Sequence, residues 1–200
     1  EKRTDLVVRL VENMLTEDRK ILILSDRRAH LKLMYDKISA GLTEKVGYYV
    51  GGMKQSQRKE SESMDVILGT FSMASEGMDI PALDSIILAS PKSNICQPIG
   101  RILRKKHVDK PALVYDIVDN FSHFYRQGLK RRAFYKKSKY HIIVSKIYDT
   151  EATTVDNMIE QIQESQVKIA DSIYSSGSED GDSNKKTKSK KSRKKTKKST

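Results

Sequence analysis

Five short apolar runs, separated by stretches with helical periodicity, constrain the fold of this chain more than any other feature. The runs are rich in Ile, Val, Leu or Tyr and show little polar alternation, which is typical of parallel strands buried on both faces. Apolar residues recur between them at helical spacing, as in Leu6, Leu10 and Met14. The sequence therefore predicts a doubly wound α/β domain, a parallel sheet flanked by helices and joined by right-handed crossovers. The predicted strands lie at residues 20–25, 46–50, 65–70, 85–90 and 112–119.

The pattern changes after residue 140, and we predict three parts. These are an α/β domain at residues 1–145, a partly helical extension at 146–174 and a disordered segment at 175–200 that ends in a basic tail. Residues 184–200 hold ten Lys or Arg and no acid, so the rest of the chain carries only +2 of the net charge of +12. Such a tail fits a nonspecific nucleic-acid anchor, a nuclear targeting signal or a solubilising end.

Composition limits the compartment and the kinds of site. The single cysteine, Cys96, forbids an intramolecular disulfide and fits a reducing intracellular compartment; we predict that it is a small buried or half-buried residue. No apolar run approaches the length of a membrane span, so no membrane partner is expected. The four histidines show no ligand spacing, and no metal site is assigned. The chain begins at Glu1, directly before a helical pattern, and we expect it to be a piece of a longer protein.

The segments that follow the predicted strands are the candidate binding loops. Ligands of open α/β sheets lie at the carboxyl ends of the strands. Ser25 and Arg27 follow the first strand and suit phosphate contacts, although Ser25 also suits an ordinary helix cap. Two glycines and then Arg58 follow the second strand, which is a weak signal alone. Thr70, after the third strand, suits contact with a sugar–phosphate backbone, and Asp79 suits a ribose hydroxyl, an arginine or a capping role.

An arginine-bearing segment follows the fourth predicted strand. Gln97 and Arg101 are four residues apart, and Arg101 and Arg104 are three apart, so a helix places them on one face. One amide and two guanidiniums suit the oxygens of a polyphosphate and the charge on a transferring phosphoryl group. A solvated basic helix face is the alternative for this segment alone.

In their order along the chain, these motifs resemble the second RecA-like domain of superfamily 2 helicases. The motifs are Ser-x-Arg, Gly-x-Met-x-Gln-x-x-Arg, Thr ahead of Glu-Gly-x-Asp-x-Pro, and Gln-x-x-Gly-Arg-x-x-Arg; the last two are the most distinctive. The resemblance covers roughly residues 5–120. Residues 115–122 and the aromatic, basic stretch after them are similar to the viral branch that contains poxvirus and asfarvirus transcript-release helicases. The resemblance to these helicases implies a RecA-like fold and an intracellular location, which for a viral protein would be the nucleus, viral factory or virion.

The resemblance also implies roles for individual residues. Arg101 and Arg104 would reach the γ-phosphate of ATP across a cleft to an N-terminal RecA-like domain of the same parent protein, with Arg104 as the arginine finger. Gln97 would orient the attacking water or hold the nucleotide. Asp79 would touch ribose or the arginines, and Gly77 belongs to the same interdomain loop. A glutamine-led final motif favours DNA over RNA as the bound nucleic acid. The residues implied to line its backbone are Ser25, Arg27, Gln55, Arg58 and Thr70.

Two elements of a complete ATP site are missing from the sequence. There is no G-x-x-x-x-G-K-[ST] phosphate loop and no Asp-Glu pair at a strand end to hold magnesium. The resemblance implies Mg²⁺, but this chain would not ligate it, and on its own the chain should not hydrolyse ATP. The main hypothesis is the C-terminal motor domain of an ATP-dependent helicase or translocase. The alternative is a binding module that grips nucleic acid or lends Arg101 and Arg104 to a partner ATPase.

Residues 121–140 interleave aromatic side chains with seven Lys or Arg. The cations suit phosphates, and exposed aromatic rings would stack on bases. The favoured interpretation is a helix with its basic face in solvent, some of whose cations contact phosphates. Its apolar residues would then pack on the sheet, namely Phe121, Phe124, Leu129 and Phe134.

Overall fold

A five-stranded, fully parallel sheet forms the centre of the fold. The computed structural model describes residues 2–41, 45–76, 78–103, 110–147 and 153–176, without the side chains of residues 98, 101–103 and 167–176. The strand order is β2-β3-β1-β4-β5, and all five predicted strands are confirmed. Their bounds are β1 Ile21–Leu24, β2 Val46–Tyr49, β3 Val66–Gly69, β4 Ser85–Leu88 and β5 Leu113–Asp116.

Helices connect the strands and cover both faces of the sheet, because neighbouring parallel strands need a crossover connection. The helical periods predicted around Leu6, Leu31 and Ile99 are confirmed as helices α1, α2 and α5. A further helix, α7, lies in the predicted extension, whereas residues 177–200 lie outside the described residues. The bounds are α1 Lys2–Thr16, α2 Arg28–Gly41, α3 Gln55–Glu62, α4 Phe71–Glu76, α5 Cys96–Leu103, α6 Ser122–Lys137 and α7 Val155–Ser176.

The central strand β1 contributes to both layers of the core. Ile21 and Ile23 face one layer, with the apolar stripes of α1 and α2, and Leu22 and Leu24 face the other, with α4 and α5. All four side chains are fully buried, and burial of each contributes roughly 1.5–3 kcal/mol relative to an exposed position. Burial on both faces explains why the strands read as continuous apolar runs without polar alternation.

Helix α7 contributes to the first of these layers. Met158 and Ile159 are buried there beside Leu10 and Val11 of α1. An ion pair between Asp156 and Arg9, with a distance of 3.2 Å, lies at the surface of the same contact. The helix in the predicted extension therefore shares its core with the α/β domain.

A buried ion pair joins helix α6 to the sheet. The guanidinium of Arg131, only 2% exposed, donates from Nε and Nη2 to the Asp116 carboxylate at distances of 2.7–3.0 Å. Its Nη1 donates to the carbonyl oxygen of Lys92 at 2.6 Å, in the loop after β4. The Tyr135 hydroxyl donates to the same carboxylate at 3.0 Å. Burial and the Asp116 charge raise the pKa of the Tyr135 phenol far above its usual range, so this hydroxyl remains a donor.

Replacement of Arg131 by methionine should destabilise the domain strongly. The substitution keeps much of the buried volume but leaves Asp116 without its cation, and breaking one partner of a buried pair costs about 3–5 kcal/mol. Arg132→Met, one residue further on and exposed, is the matched control and should change the free energy of unfolding by less than about 0.5 kcal/mol. Urea denaturation measures both. Equal losses in the two variants would contradict a structural role for the Arg131 pair.

Candidate functional site

The loops after strands β1 to β4 meet at the carboxyl edge of the sheet, as the parallel order requires. Hydrogen bonds join them to one another. The Asp26 N–H donates to Ser90 Oγ at 3.1 Å, which links the loops after β1 and β4. Arg28 Nη2 donates to the Gly51 carbonyl at 2.5 Å, which links the loops after β1 and β2. The candidate residues near these loops are therefore held in one connected surface.

Ser25 lies below this surface rather than on it. Its side chain is fully buried, and its Oγ accepts the Arg27 N–H at 3.3 Å, just before helix α2 begins. The same oxygen lies 3.3 Å from Nδ1 of His30, and the Ser25 N–H donates to the Gly69 carbonyl. These contacts fix the turn that leads into α2, but Ser25 does not cap the helix, because the N–H that it accepts belongs to Arg27, one residue before the first helical turn. The Arg27 side chain, in contrast, is exposed at the edge.

His30 lies in the first turn of α2, where its ring contacts Thr4 of α1 on one side and Ser25 on the other. Its Nε2 lies 3.4 Å from the Thr4 hydroxyl, opposite the contact with Ser25. Burial lowers the pKa of His30, and the charges of Arg3 and Arg27 lower it further. The imidazole is therefore neutral at pH 7 and serves as a hydrogen-bonding link under the loop after β1.

Helix α3 places two candidate residues beside the loop after β2. Gln55 is exposed in the first turn, and Arg58 follows one turn later and is half-buried. The Nε atom of Arg58 is buried without a hydrogen-bond partner among the described residues. Before the helix, Gly52 has a φ of +85°, a left-handed conformation that favours glycine. A tight loop thus leads directly into the polar turn that carries Gln55.

Thr70 follows β3 and directly precedes helix α4. Its N–H donates to the Tyr49 carbonyl at 3.4 Å, its carbonyl accepts from Ala74, and its Oγ1 lies 3.2 Å from Ser72 Oγ. The side chain is half-exposed, so the hydroxyl is held at the edge. Gly77, predicted in the turn after α4, lies outside the described residues.

The predicted nucleotide-facing residues are only partly described. Gln97 is exposed in the first turn of α5, and Asp79 is exposed in the loop after α4. The backbone of Arg101 lies in α5, one turn after Gln97, but its side chain is not described, and Arg104 lies outside the described residues. Ile99, fully buried in the second core layer, fixes the opposite side of the helix. The described geometry therefore orients α5 without defining the arginine contacts.

The prediction for Cys96 is wrong in one respect. The sequence predicts a buried or half-buried thiol, but Cys96 is exposed where α5 begins, and its N–H lies 3.3 Å from Asn94 Oδ1. Ile95, immediately before it, takes the buried position in the core. A helix start at the surface exposes one of two successive residues, and here the larger apolar side chain is the buried one.

Lys92 and Arg131 are two residues that hold the loop before α5 and that the sequence does not single out. The Lys92 ammonium pairs with Asp26 at 2.8 Å and lies 5.7 Å from the centre of the Phe71 ring, while its carbonyl accepts from Arg131. The loop that leads to α5 is therefore held from both sides. The sequence does carry one signal: Gly128, Arg131 and Tyr135 recur at helical spacing and share the buried face of α6.

Packing of the aromatic residues of α6 follows the prediction only in part. Phe134 packs against the second core layer and Phe124 is half-buried. Phe121 and Leu129 are 72% and 46% exposed, so their predicted packing on the sheet is wrong. The face that contacts β5 is instead occupied by Arg131 and its partners, and this polar contact rotates the two apolar residues towards solvent.

Within the described residues no three His, Cys, Asp or Glu side chains are grouped so that they could hold a metal ion. None of the described helices has the length and apolar character that crossing a membrane requires.

Comparison with known proteins identifies relatives of this chain. The family model described as helicase conserved C-terminal domain matches residues 2–106. A protein of Acanthamoeba polyphaga mimivirus is 38% identical over 157 residues, covering 76% of this chain and 29% of that protein. A protein of African swine fever virus is 29% identical over 130 residues, covering 61% of this chain and 26% of that protein. Both are named "Putative ATP-dependent RNA helicase", and this chain spans less than a third of either.

A solved structure supports the fold. The C-terminal domain of Dbp5 from S. cerevisiae superposes with a TM-score of 0.55 at 12% identity, covering 84% of this chain and 92% of that domain. At this identity the likeness concerns the fold alone. It confirms the predicted RecA-like arrangement of a parallel sheet with flanking helices.

Acidification should destabilise the fold through protonation of His30. In the folded state its pKa is lowered below about 6.5, the value in the unfolded chain. As the pH falls, the unfolded state therefore binds more protons than the folded state. The free energy of unfolding should therefore decrease below about pH 6.5, and His30→Gln should reduce this decrease. The exposed His141 provides the control, His141→Gln. Urea denaturation between pH 7 and pH 5 measures the difference, and parallel pH profiles for wild type and His30→Gln would refute it.

Proposed function

We propose, from the premise that this chain belongs to the helicase conserved C-terminal domain family, that it is the second motor domain of an ATP-dependent nucleic-acid helicase. Its carboxyl edge would hold the strand backbone, and helix α5 would supply the arginine finger. The observation that carries this proposal is the joint placement of Arg27, Gln55, Thr70 and Gln97 on loops and helical turns of one edge. Since the chain spans less than a third of its viral relatives, the activity proposed is that of a longer protein.

The polar groups of the edge suit a sugar–phosphate backbone. Arg27 and Gln55 are exposed, and Thr70 offers a half-exposed hydroxyl. Arg58 is half-buried beside the loop after β2, and the accessible part of its side chain would contact a phosphate oxygen. Such contacts position a strand without reading its sequence. Ser25 would act from beneath, by holding the loop that presents Arg27.

The choice between DNA and RNA is left open in this proposal. The glutamine-led motif favours DNA, whereas both viral relatives are named as RNA helicases. The preference for DNA therefore gains no support from the relatives. Contacts through phosphates, an amide and a hydroxyl serve either nucleic acid.

Residues of this chain fit one side of an ATP site. Gln97 presents an exposed amide and Asp79 an exposed carboxylate, and these groups suit a nucleotide's phosphate and ribose oxygens respectively. Bound ATP supplies the phosphoryl group, and this chain would hold and orient it through Gln97, Asp79, Arg101 and Arg104. The phosphate loop and the carboxylates for Mg²⁺ would come from the first motor domain. The chain alone is then expected to be inactive as an ATPase.

Neutralisation of Arg27 or Arg58 should weaken nucleic-acid binding without changing sequence preference. Each of Arg27→Gln and Arg58→Gln should lower the slope of log K against log salt by roughly one. Lys45→Gln is the matched control, since Lys45 is exposed but precedes β2 at the opposite edge. Fluorescence anisotropy with two labelled oligonucleotides of unrelated sequence measures the effect. The proposal fails if all three variants behave alike.

Arg104→Ala should remove ATP turnover in the longer protein that carries the phosphate loop. A trans arginine contributes about 10³–10⁵ in rate in GTPase analogues. We therefore expect the variant to lose at least about 10³-fold in turnover. Binding of nucleic acid and the free energy of unfolding should be unchanged. Lys32→Ala, at an exposed position of α2, is the control variant. Steady-state ATPase assays with nucleic acid present decide the role, and near-normal turnover would exclude Arg104 as the finger.

A further inference from the structure

Helix α6 carries an exposed apolar stripe that no part of the described chain covers. Phe121, Tyr125 and Leu129 are 72%, 47% and 46% exposed. Tyr125 and Leu129 are four residues apart and lie on the same side of the helix. Phe121 is the extended residue directly before the first turn, and its carbonyl accepts the Tyr125 N–H at 2.7 Å. Contiguous exposed apolar surface of this kind marks an interaction site more often than isolated apolar residues do.

The stripe lies beyond the carboxyl edge of the sheet. Helix α6 runs antiparallel to β5 and its extension, because later helix residues contact earlier residues of that segment. Gly128 packs against Val118, so closely that a Cβ there would lie 2.5 Å from Val118 Cγ1, and Arg131 contacts Asp116. The first half of α6 therefore projects past the end of β5, on the same edge that carries Arg27 and Thr70.

The charged residues of helix α6 are all positive, and the nearby carboxylates Asp116 and Asp119 are paired with Arg131 and Arg3. Helix α6 contains no Asp or Glu, and Arg132 and Lys136 continue the stripe at helical spacing after Leu129. None of the exposed cations of α6 forms an ion pair within the described part of the chain. These cations are Arg126, Lys130, Arg132, Lys136 and Lys137.

We propose that this stripe is a base-stacking platform for single-stranded nucleic acid. Bases would stack on the rings of Phe121 and Tyr125, and the cations of α6 would contact the phosphates of the same strand. Unpaired bases offer faces that match exposed aromatic rings, and phosphates match an acid-free basic helix. A duplex offers the phosphates but keeps its bases stacked, and an apolar protein surface would leave the cations unpaired.

This inference rests on the proposed function for the path of the strand, which reaches the platform from the edge that carries Arg27. The platform would extend the contact beyond the phosphate-binding loops to the bases. Stacking tolerates any sequence, since every base has a π-face. The platform would therefore add affinity for unpaired strands over duplexes, without adding sequence preference.

The full chain contains no tryptophan, so one introduced indole reports on the platform alone. In Phe121→Trp, oligo(dT) or oligo(U) should quench the fluorescence on stacking, whereas an abasic oligonucleotide of equal length and heparin should not. Leu33→Trp is the control, since Leu33 is an exposed apolar residue (46%) that lies on α2, outside the platform. Anisotropy of a labelled strand confirms saturation in each titration. The double variant Phe121→Ala/Tyr125→Ala should lose at least about thirtyfold in affinity for single strands, at an unchanged salt slope.

The outcomes separate this inference from the proposed function. If Phe121→Trp is not quenched at saturation, or is quenched equally by heparin or by duplex, the platform is refuted. That result would hold even where Arg27→Gln and Arg58→Gln lower the salt slope as proposed. Conversely, base-specific quenching of Phe121→Trp with unchanged slopes in the arginine variants would support the platform while refuting the edge contacts.

Discussion

Burial of the parallel sheet on both faces is the constraint on which the rest of this structure depends. Strand β1 is paired on both sides, with β3 and β4, and its side chains are buried above and below. Such a strand has no room for a polar group without a partner. Chemistry must therefore lie where the strands end, and parallel pairing brings all those ends to one edge. The position of the candidate site follows from the hydrophobic effect rather than from any feature of the site residues.

Polar contacts then give that edge a defined shape. Apolar burial fixes where the strands stop but not how the loops continue. Asp26, Lys92 and Arg131 link the loops after β1 and β4 to β5 and α6. The Arg131 pair is the most deeply buried of these links, and its desolvation must be offset by several good hydrogen bonds. Because Lys92 lies only four residues before α5, this pair helps to fix the direction in which Gln97 is presented.

The sequence predicts those features that depend on local periodicity. All five strands and the helices around Leu6, Leu31 and Ile99 could be predicted, because alternation of apolar runs with helical spacing is a local signal. The exposure of Phe121 and Leu129 could not be predicted. It depends on which face of α6 meets β5, and a contact between Arg131 and Asp116, fifteen residues apart, decides that face.

Candidate site residues show the same division. The order of the motifs was sufficient to place Arg27, Gln55 and Thr70 at one edge. The direction of the Ser25 hydroxyl could not be predicted from that order. Ser25 turns inwards because His30 and the Arg27 N–H offer it partners within the fold. The role of Lys92 arises from contacts with three separate elements, and no local pattern contains them.

Charge at the edge arises from selective neutralisation rather than from an excess of basic residues. Outside the tail the chain carries a net charge of only +2. Three carboxylates near the carboxyl edge nevertheless have a cation within the fold: Asp26 has Lys92, Asp116 has Arg131 and Asp119 has Arg3. Their negative potential is thus compensated locally, while exposed Arg27 and the cations of α6 remain directed to solvent. A nearly neutral domain can in this way present a positive surface where its loops converge, and a polyanion would experience that local potential rather than the net charge.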